Sequence, residues 1–384
     1  MSKHSPGPNR QTDGTRRSPR QEADRAGSAK PSRRDPPIRA GATRMFATAI
    51  PGLAPIIGRE LAARAGIAIE DIGFDGRSDV ILFEAARGNR PEMRDLGLIE
   101  DLFVEFGRTQ RAEGDRASAI AGRIWRPEQV QRALSVWADV VRPLRGAMTV
   151  RVIVRVLQEQ SFLRTELRRQ LGEVISRDRP RWRSGDPAQL EVWVTEYAPG
   201  RFTAGLRLSD ATMRQHDGRN VEREGALRPT VAGAMVRLAG EPRGLLLDPC
   251  CGSGTILREA IALGWRASGR DIDPDAVATA RRNVPGTEIH AGDARRLDLA
   301  DASTDACVSN LPFGRQFAVQ GEMDAWLRAV LGETARVTRP GGRVVLLAPN
   351  LPRALVPAQL RLRERVPIRL LGTKTTIWTY DRIG

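Results

Sequence analysis

The run Leu245-Leu246-Leu247-Asp248-Pro249-Cys250-Cys251-Gly252-Ser253-Gly254-Thr255 constrains the fold more than any other stretch of this chain. An apolar segment ends in an acid, a glycine-rich turn follows, and helical periodicity begins at Thr255. A short apolar run bounded by turn signals reads as a buried parallel strand, so the stretch is a strand, a loop and a helix N-terminus. Gly252 and Gly254 let the backbone approach a ligand closely. The N–H groups at a helix start suit a carboxylate or a phosphate. A lone glycine loop is weak evidence, so the segments downstream decide what it means.

From Gly244 onward strands and helices alternate. The pattern predicts strands at Leu245–Asp248, Ala267–Asp271, Glu288–Ala291, Ala306–Asn310 and Arg343–Ala348. It predicts helices at Thr255–Leu263, Pro274–Asn283 and about Met323–Val337, then a hairpin of Arg365–Leu371 and Thr375–Tyr380 around Gly372. This alternation implies an α/β domain, Rossmann-like, with a mostly parallel seven-stranded sheet, a terminal antiparallel hairpin and helices on both faces. A ligand then sits beyond the carboxyl ends of the strands. Polar residues punctuate those ends in order: Asp248, then Asp271-Ile272-Asp273-Pro274, then Asp293-Ala294, then Asn310-Leu311-Pro312-Phe313. A single such acid is an ordinary cap or turn residue. Acids closing successive strands argue for a shared site. A nicotinamide-dependent dehydrogenase needs a GxGxxG fingerprint, which Cys251–Thr255 does not supply.

Ahead of this domain the chain divides further. Residues 1–43 are rich in Ser, Pro, Gly and Arg with almost no large apolar side chain, the composition of a disordered basic tail. Residues 44–112 predict a small α+β unit: a strand at Met45–Ile50, a turn at Pro51-Gly52-Leu53, a helix at Ala54–Ala65, a strand at Asp79–Glu84 and a helix over Asp95–Gly107. Residues 113–208 predict a second: a helix at Pro127–Val141, a strand at Met148–Leu157, an arginine-rich helix at Phe162–Ser176 and two strands, Leu190–Tyr197 and Phe202–Leu208. Residues 209–240 link to the third domain, which runs over 209–384. Within the link, Leu227-Arg228-Pro229-Thr230 opens a helix for which Thr230 supplies an N-terminal cap.

Charge narrows the partner. The 384 residues carry a net charge of +15, of which residues 1–44 hold +7. A basic body suggests a polyanion. Arginine-rich composition explains part of the excess, and the basic helix at Phe162–Ser176 faces either phosphate or solvent. Neither a membrane span nor a signal peptide is expected. Cys250, Cys251 and Cys307 form no disulfide framework and fit a reducing cytoplasm, and His4, His216 and His290 offer no metal site.

Two resemblances follow from these residues. Ala49-Ile50-Pro51-Gly52-Leu53 with its helix, the arginine-rich helix and the Trp193–Leu208 hairpin resemble a THUMP domain with its N-terminal ferredoxin-like partner. The strand-end punctuation from Asp248 to Asn310 resembles the class I S-adenosylmethionine-dependent methyltransferase fold. Over about residues 44–384 the chain is similar to the THUMP-containing tRNA guanine-N2 methyltransferases. That resemblance implies S-adenosylmethionine as cofactor and RNA, above all the acceptor end of tRNA, as partner. It implies that Asp248, Pro249, Thr255 and the backbone at Cys250, Gly252 and Gly254 hold the methionine moiety, with Thr230 as a further lining candidate there. Asp271 would then hold the ribose, Ile272 would pack on adenine, Asp293 with Ala294 would meet the adenine amine, and Asn310 would contact the cofactor as well as the substrate. A monomer without metal is the expected state.

Asn310-Leu311-Pro312-Phe313 resembles the (Asn/Asp/Ser)-Pro-Pro-(Tyr/Phe) motif of enzymes that methylate planar nitrogen, with Leu311 in place of the first proline. The chemistry explains the motif. An exocyclic amine conjugated to a base is a poor nucleophile because its lone pair is delocalised. The Asn310 side-chain oxygen and the Leu311 carbonyl can accept its hydrogens and aim the lone pair at the methyl group. Positioning of this kind supplies up to roughly 7–11 kcal/mol. Phe313 offers a face on which a flipped base stacks. Arg315 meets a phosphate or solvent. The expected reaction is methyl transfer to N2 of a guanosine in tRNA. Methylation of 23S ribosomal RNA and a non-catalytic RNA-binding role remain open. DNA adenine and protein glutamine methylation leave the front domains without a purpose.

Overall fold

The computed structural model describes residues 41–86, 96–157, 162–210, 226–312, 320–370 and 372–384. The tail expected at 1–43 lies almost wholly outside the described residues, as do Phe313, Arg315 and His216.

Strands β1 (Ala42–Ala49), β2 (Ile67–Phe74), β3 (Asp79–Ala86) and β4 (Asp101–Gln110) form one part of the front sheet. Strands β5 (Thr149–Arg155), β6 (Arg183–Ser184), β7 (Leu190–Ala198) and β8 (Arg201–Arg207) form the other. Residues 44–112 and 113–208 therefore share one sheet of eight strands, ordered β2-β3-β1-β4-β8-β7-β5-β6 and joined where β4 pairs antiparallel with β8. Helices α1 (Ala54–Ala62), α2 (Ala117–Ile124), α3 (Pro127–Val140) and α4 (Arg164–Asp178) accompany it.

Asp101–Gln110 is the correction. The stretch Asp95–Gly107 reads as a helix in sequence, yet from Asp101 onward it is a strand. The strand is central, so both of its faces are buried. Leu102, Val104 and Phe106 enter the main core, while Phe103 stacks on Phe46 at 4.4 Å on the other side. A strand covered on both faces loses the alternation that marks a strand, and its apolar run mimics a helical stripe. Strand β2 and helix α2 were not expected at all. The two outward residues of β2, Ile72 and Phe74, are exposed apolar side chains, which blurs its alternation.

After α5 (Pro229–Leu238) the chain builds the second sheet from β9 (Leu245–Asp248), β10 (Arg266–Asp271), β11 (Glu288–Ala291), β12 (Thr304–Asn310), β13 (Thr338–Ala348), β14 (Leu360–Leu370) and β15 (Thr373–Arg382). Its helices are α6 (Thr255–Ala262), α7 (Pro274–Asn283) and α8 (Gln320–Val337). The order is β11-β10-β9-β12-β13-β15-β14. The first five strands run parallel, while β15 is antiparallel to both β13 and β14. This is the Rossmann-like α/β sheet expected from the alternation.

One apolar cluster serves both sheets. Leu98, Ile99 and Leu102 from the front join Val231, Met235, Val345 and Ile377 from the rear. The Pro51-Gly52-Leu53 turn is the contact point with β14. Arg369 donates its amide to the Pro51 carbonyl at 3.0 Å. Gly52 has φ +99°, and a Cβ there would fall 2.0 Å from the Pro367 carbonyl oxygen. Glycine is therefore required twice over, by backbone conformation and by the approach of β14. The Asp79 carboxylate fixes the same turn by accepting from the amides of Gly52 and Ala54 at 2.8 and 2.9 Å.

Candidate active site

The chain runs outward from β9 to β10 and β11, then crosses back to place β12 on the other side of β9. Between β9 and β12 the strand order reverses, and a crevice opens beyond their carboxyl ends. A cavity of about 760 Å³ occupies this place, a size that accommodates a small-molecule ligand. Of the residues predicted from sequence, Pro249, Cys250, Gly252, Asp271, Ile272, Asp293, Ala294, Asn310, Leu311 and Pro312 line it. Asp248, Gly254 and Thr255 do not belong to the lining; they lie just behind it, and Phe313 lies outside the described residues.

Asp248 sits under the floor, 1% exposed, and accepts from Ser309 Oγ at 2.7 Å and from the Cys250 amide at 3.1 Å. Burial pushes its carboxyl up to about 7 against those two hydrogen bonds, and the nearby Asp271 carboxylate adds to the rise. Asp271 accepts from the Gly252 amide at 2.8 Å and from the Asp273 amide at 3.0 Å. The Asp271 carboxylate faces the cavity and Asp248 lies beneath it, and a negative charge at the wall favours a cationic occupant.

The loop after β9 is held from within. Cys251 donates to the Arg270 carbonyl and Gly254 to the Cys251 carbonyl, both at 2.8 Å. The amides of Cys250, Gly252 and Gly254, expected to serve a ligand, are thus already engaged by the protein. Gly252 and Gly254 take φ values of +52° and +85°, where side chains are strained. Gly254 also packs close, since a Cβ there would meet Val284 at 2.9 Å. The thiols of Cys250 and Cys251 are raised by burial above the ordinary cysteine range, the neighbouring Asp248 and Asp271 carboxylates reinforcing the shift. They remain protonated at neutral pH and are not nucleophiles.

At the far end, Asp293 accepts a two-pronged hydrogen bond from Arg295, at 2.7–3.0 Å, which holds its carboxyl below the usual range. Ile272 is 68% exposed at the cavity, an apolar side chain left uncovered by the protein.

Asn310 closes β12 and stands on the opposite wall of the crevice. The next residue shows why leucine replaces the motif's first proline. Leu311 donates its amide to the Leu347 carbonyl at 3.2 Å, extending the β12–β13 ladder by one bond, and its side chain is buried. Proline has no N–H to give. Thr230 corrects the capping expectation. It stands one residue inside α5, whose cap position is Arg228, and no side chain caps that end. Its hydroxyl is buried without a partner and away from the cavity lining.

Sequence reasoning missed other parts of the wall, among them Arg228, Trp326, Pro349, Leu370, Thr373 and Thr375. Arg228 pairs with Glu100 of the front unit at 2.5 Å. Only strand pairing reveals the last three residues, because the hairpin turn between β14 and β15 comes back to the carboxyl end of the parallel strands.

This strand order, with its ligand crevice at the switch point, defines a Rossmann-like methyltransferase fold. Residues 216–366 match the family described as UPF0020: RMKL-like, methyltransferase domain, so this part of the chain is a methyltransferase domain of that kind. The structure resembles that of TrmN from Thermus thermophilus with a TM-score of 0.69 and 22% identity, covering 89% of this chain and 100% of that one. In sequence the chain is 33% identical over 162 residues to the tRNA (guanine(10)-N2)-dimethyltransferase of Methanothermobacter thermautotrophicus, covering 40% of this chain and 48% of that protein. It is 36% identical over 131 residues to the U6 snRNA (guanine-N(2))-methyltransferase THUMPD2 of Mus musculus, covering 32% of this chain and 24% of that protein. The chain thus spans less than half the length of these curated relatives.

Proposed function

We propose that this chain transfers a methyl group from S-adenosylmethionine to the exocyclic N2 amine of a guanosine in RNA, with tRNA as the substrate. The observation that carries the reading is Asn310-Leu311-Pro312 on one wall of a crevice whose other wall is acidic.

The residues present fit the cofactor. Asp271 at the wall suits a cationic ligand, Ile272 offers an uncovered apolar surface for adenine, and Asp293 borders the same end. When bound, the cofactor supplies an electrophilic methyl group on a sulfonium. The protein's part is positioning. The Asn310 oxygen and the Leu311 carbonyl accept the two hydrogens of the amine and turn its lone pair toward the donor. Neither group needs to be a strong base, because the proton leaves after the methyl group arrives. The buried thiols stay out of the reaction.

RNA as the partner is supported by the front sheet. Helix α4 carries exposed Arg164, Arg168 and Arg177, with Arg181 just beyond it. We read residues 44–208 as ferredoxin-like and THUMP-like units that capture RNA, and the chain as cytoplasmic on the strength of its free cysteines.

The test is incubation of purified chain, labelled cofactor and either tRNA or ribosomal RNA, followed by nucleoside mass spectrometry. N2-methylguanosine from tRNA supports the proposal. Label in ribosomal RNA alone moves the substrate, and label in adenosine overturns the amine assignment.

A further inference from the structure

The cavity has two chemically different halves. Over β9, β10 and β11 its wall is acidic, with Asp271, Asp273 and Asp293. Over β13, β14 and β15 it is made of Leu347, Leu370, Thr373 and Thr375, and Asn310 stands at the junction. These residues share one face of the sheet. Asn310 is in register with Leu347, and Leu347 with Ile377. Thr375 and Thr373 follow Ile377 at alternate positions toward the hairpin turn, so they point to the same side. Strands lie about 4.8 Å apart and rise about 3.4 Å per residue, so Thr375, two strands across and two residues along from Asn310, has its backbone about 12 Å away. A purine with a hydrogen bond at each end spans a gap of this order.

Thr375 stands out within this wall. It is 7% exposed, and its hydroxyl has no hydrogen-bond partner. Among the described residues lining the cavity, it alone has a buried side-chain polar atom left in that state. An unpaired buried hydroxyl costs stability, so its presence in a ligand cavity points to a partner that the protein does not supply.

We propose that Thr375 is a specificity residue whose hydroxyl reads the N1–H/O6 edge of the target guanine. This rests on the reading of the chain as a guanine-N2 methyltransferase. The edge follows from topology. With the N2 amine at Asn310, the base offers N3 on one side and N1–H with O6 on the other. N3 lies beside the glycosidic bond, and the sugar carries the polymer, so that side must face the cavity mouth. The buried wall then meets N1–H and O6. The hydroxyl accepts from the first or donates to the second.

The experiment compares Thr375→Val, Thr375→Ala and Thr375→Ser with the unsubstituted chain. The acceptors are an RNA carrying guanosine at the mapped position and one carrying 2-aminopurine, which keeps the amine but lacks N1–H and O6. Loss of one such bond corresponds to about ten- to hundred-fold in kcat/KM. The expected result is a loss of that size with Thr375→Val and Thr375→Ala on guanosine, little change on 2-aminopurine, and recovery with Thr375→Ser. Cofactor affinity by calorimetry should stay unchanged. The unfolding midpoint of Thr375→Val should be equal or higher, because no internal bond is lost. Equal losses on both acceptors, or no loss on guanosine, overturn the inference and leave the function standing. Absence of guanosine methylation by the unsubstituted chain overturns both.

Discussion

At the residue scale the site depends on how individual polar groups are held. Replacing Asn310 with Ala removes one of two acceptors for the amine and should lower kcat by roughly a hundredfold or more, with cofactor affinity nearly kept. Single-turnover kinetics beside calorimetry separates the two effects. Leu311→Pro tests the departure from the motif. It deletes the amide bond to Leu347, which should cost about 1–3 kcal/mol in denaturant unfolding and leave the family-like proline less active than leucine. Asp248 makes a pH prediction. Its carboxyl is raised from 3.8 to about 7, so the folded state binds the proton more tightly than the unfolded state. The stabilisation is present in full below pH 3.8 and is lost as pH rises through about 7. The change amounts to about 4 kcal/mol at most. Asp248→Asn, which cannot ionise, should flatten that loss in a urea titration of the cofactor-free chain between pH 4 and 8. A cationic ligand favours the ionised form, so cofactor affinity should rise with pH across the same range.

At the scale of elements, the parallel strands were the legible part. Strand β9 lies between β10 and β12 with Leu246 and Leu247 fully buried, and therefore reads as a plain apolar run, with polar residues appearing only where the strand ends. That is why Asp248, Asp271, Asp293 and Asn310 could be found. Which side of the strand end each one takes was not legible, and Asp248 proved to lie beneath the cavity. Strand β4 was misread because tertiary cover on both faces erased its period of two. Thr375 was invisible for another reason, since its place depends on the pairing of two strands and not on local pattern. The Pro51-Gly52-Leu53 turn was seen as a motif, but its purpose emerges only from β14, against which it docks. Gly52→Ala forces a side chain into the Pro367 carbonyl at a positive φ, so it should destabilise by at least about 2 kcal/mol or detach the turn. Thermal unfolding, with kcat/KM on RNA, would show which. An unchanged midpoint would mean that the contact is dispensable.

At the scale of the whole molecule, one apolar cluster joins the two sheets, so the front sheet and the strands that carry the crevice share a core. The β14–β15 hairpin that lines part of the crevice is braced by the front turn. Capture of RNA at α4 is expected to be electrostatic. Each arginine that meets a phosphate adds about one to the slope of log affinity against log salt. Substituting Arg164, Arg168 and Arg181 by Ala should weaken RNA binding, reduce that slope and leave cofactor affinity unchanged, as read by fluorescence anisotropy over a salt series. A slope unaltered by all three substitutions would move the RNA surface elsewhere.

The most direct test of the account is the nucleoside product formed on tRNA by the unsubstituted chain and by Asn310→Ala, measured side by side by mass spectrometry. The account predicts N2-methylguanosine from the first and a hundredfold slower yield of the same nucleoside from the second, with both proteins binding cofactor. Equal rates from the two, or a methyl group found on any atom other than N2, would contradict it.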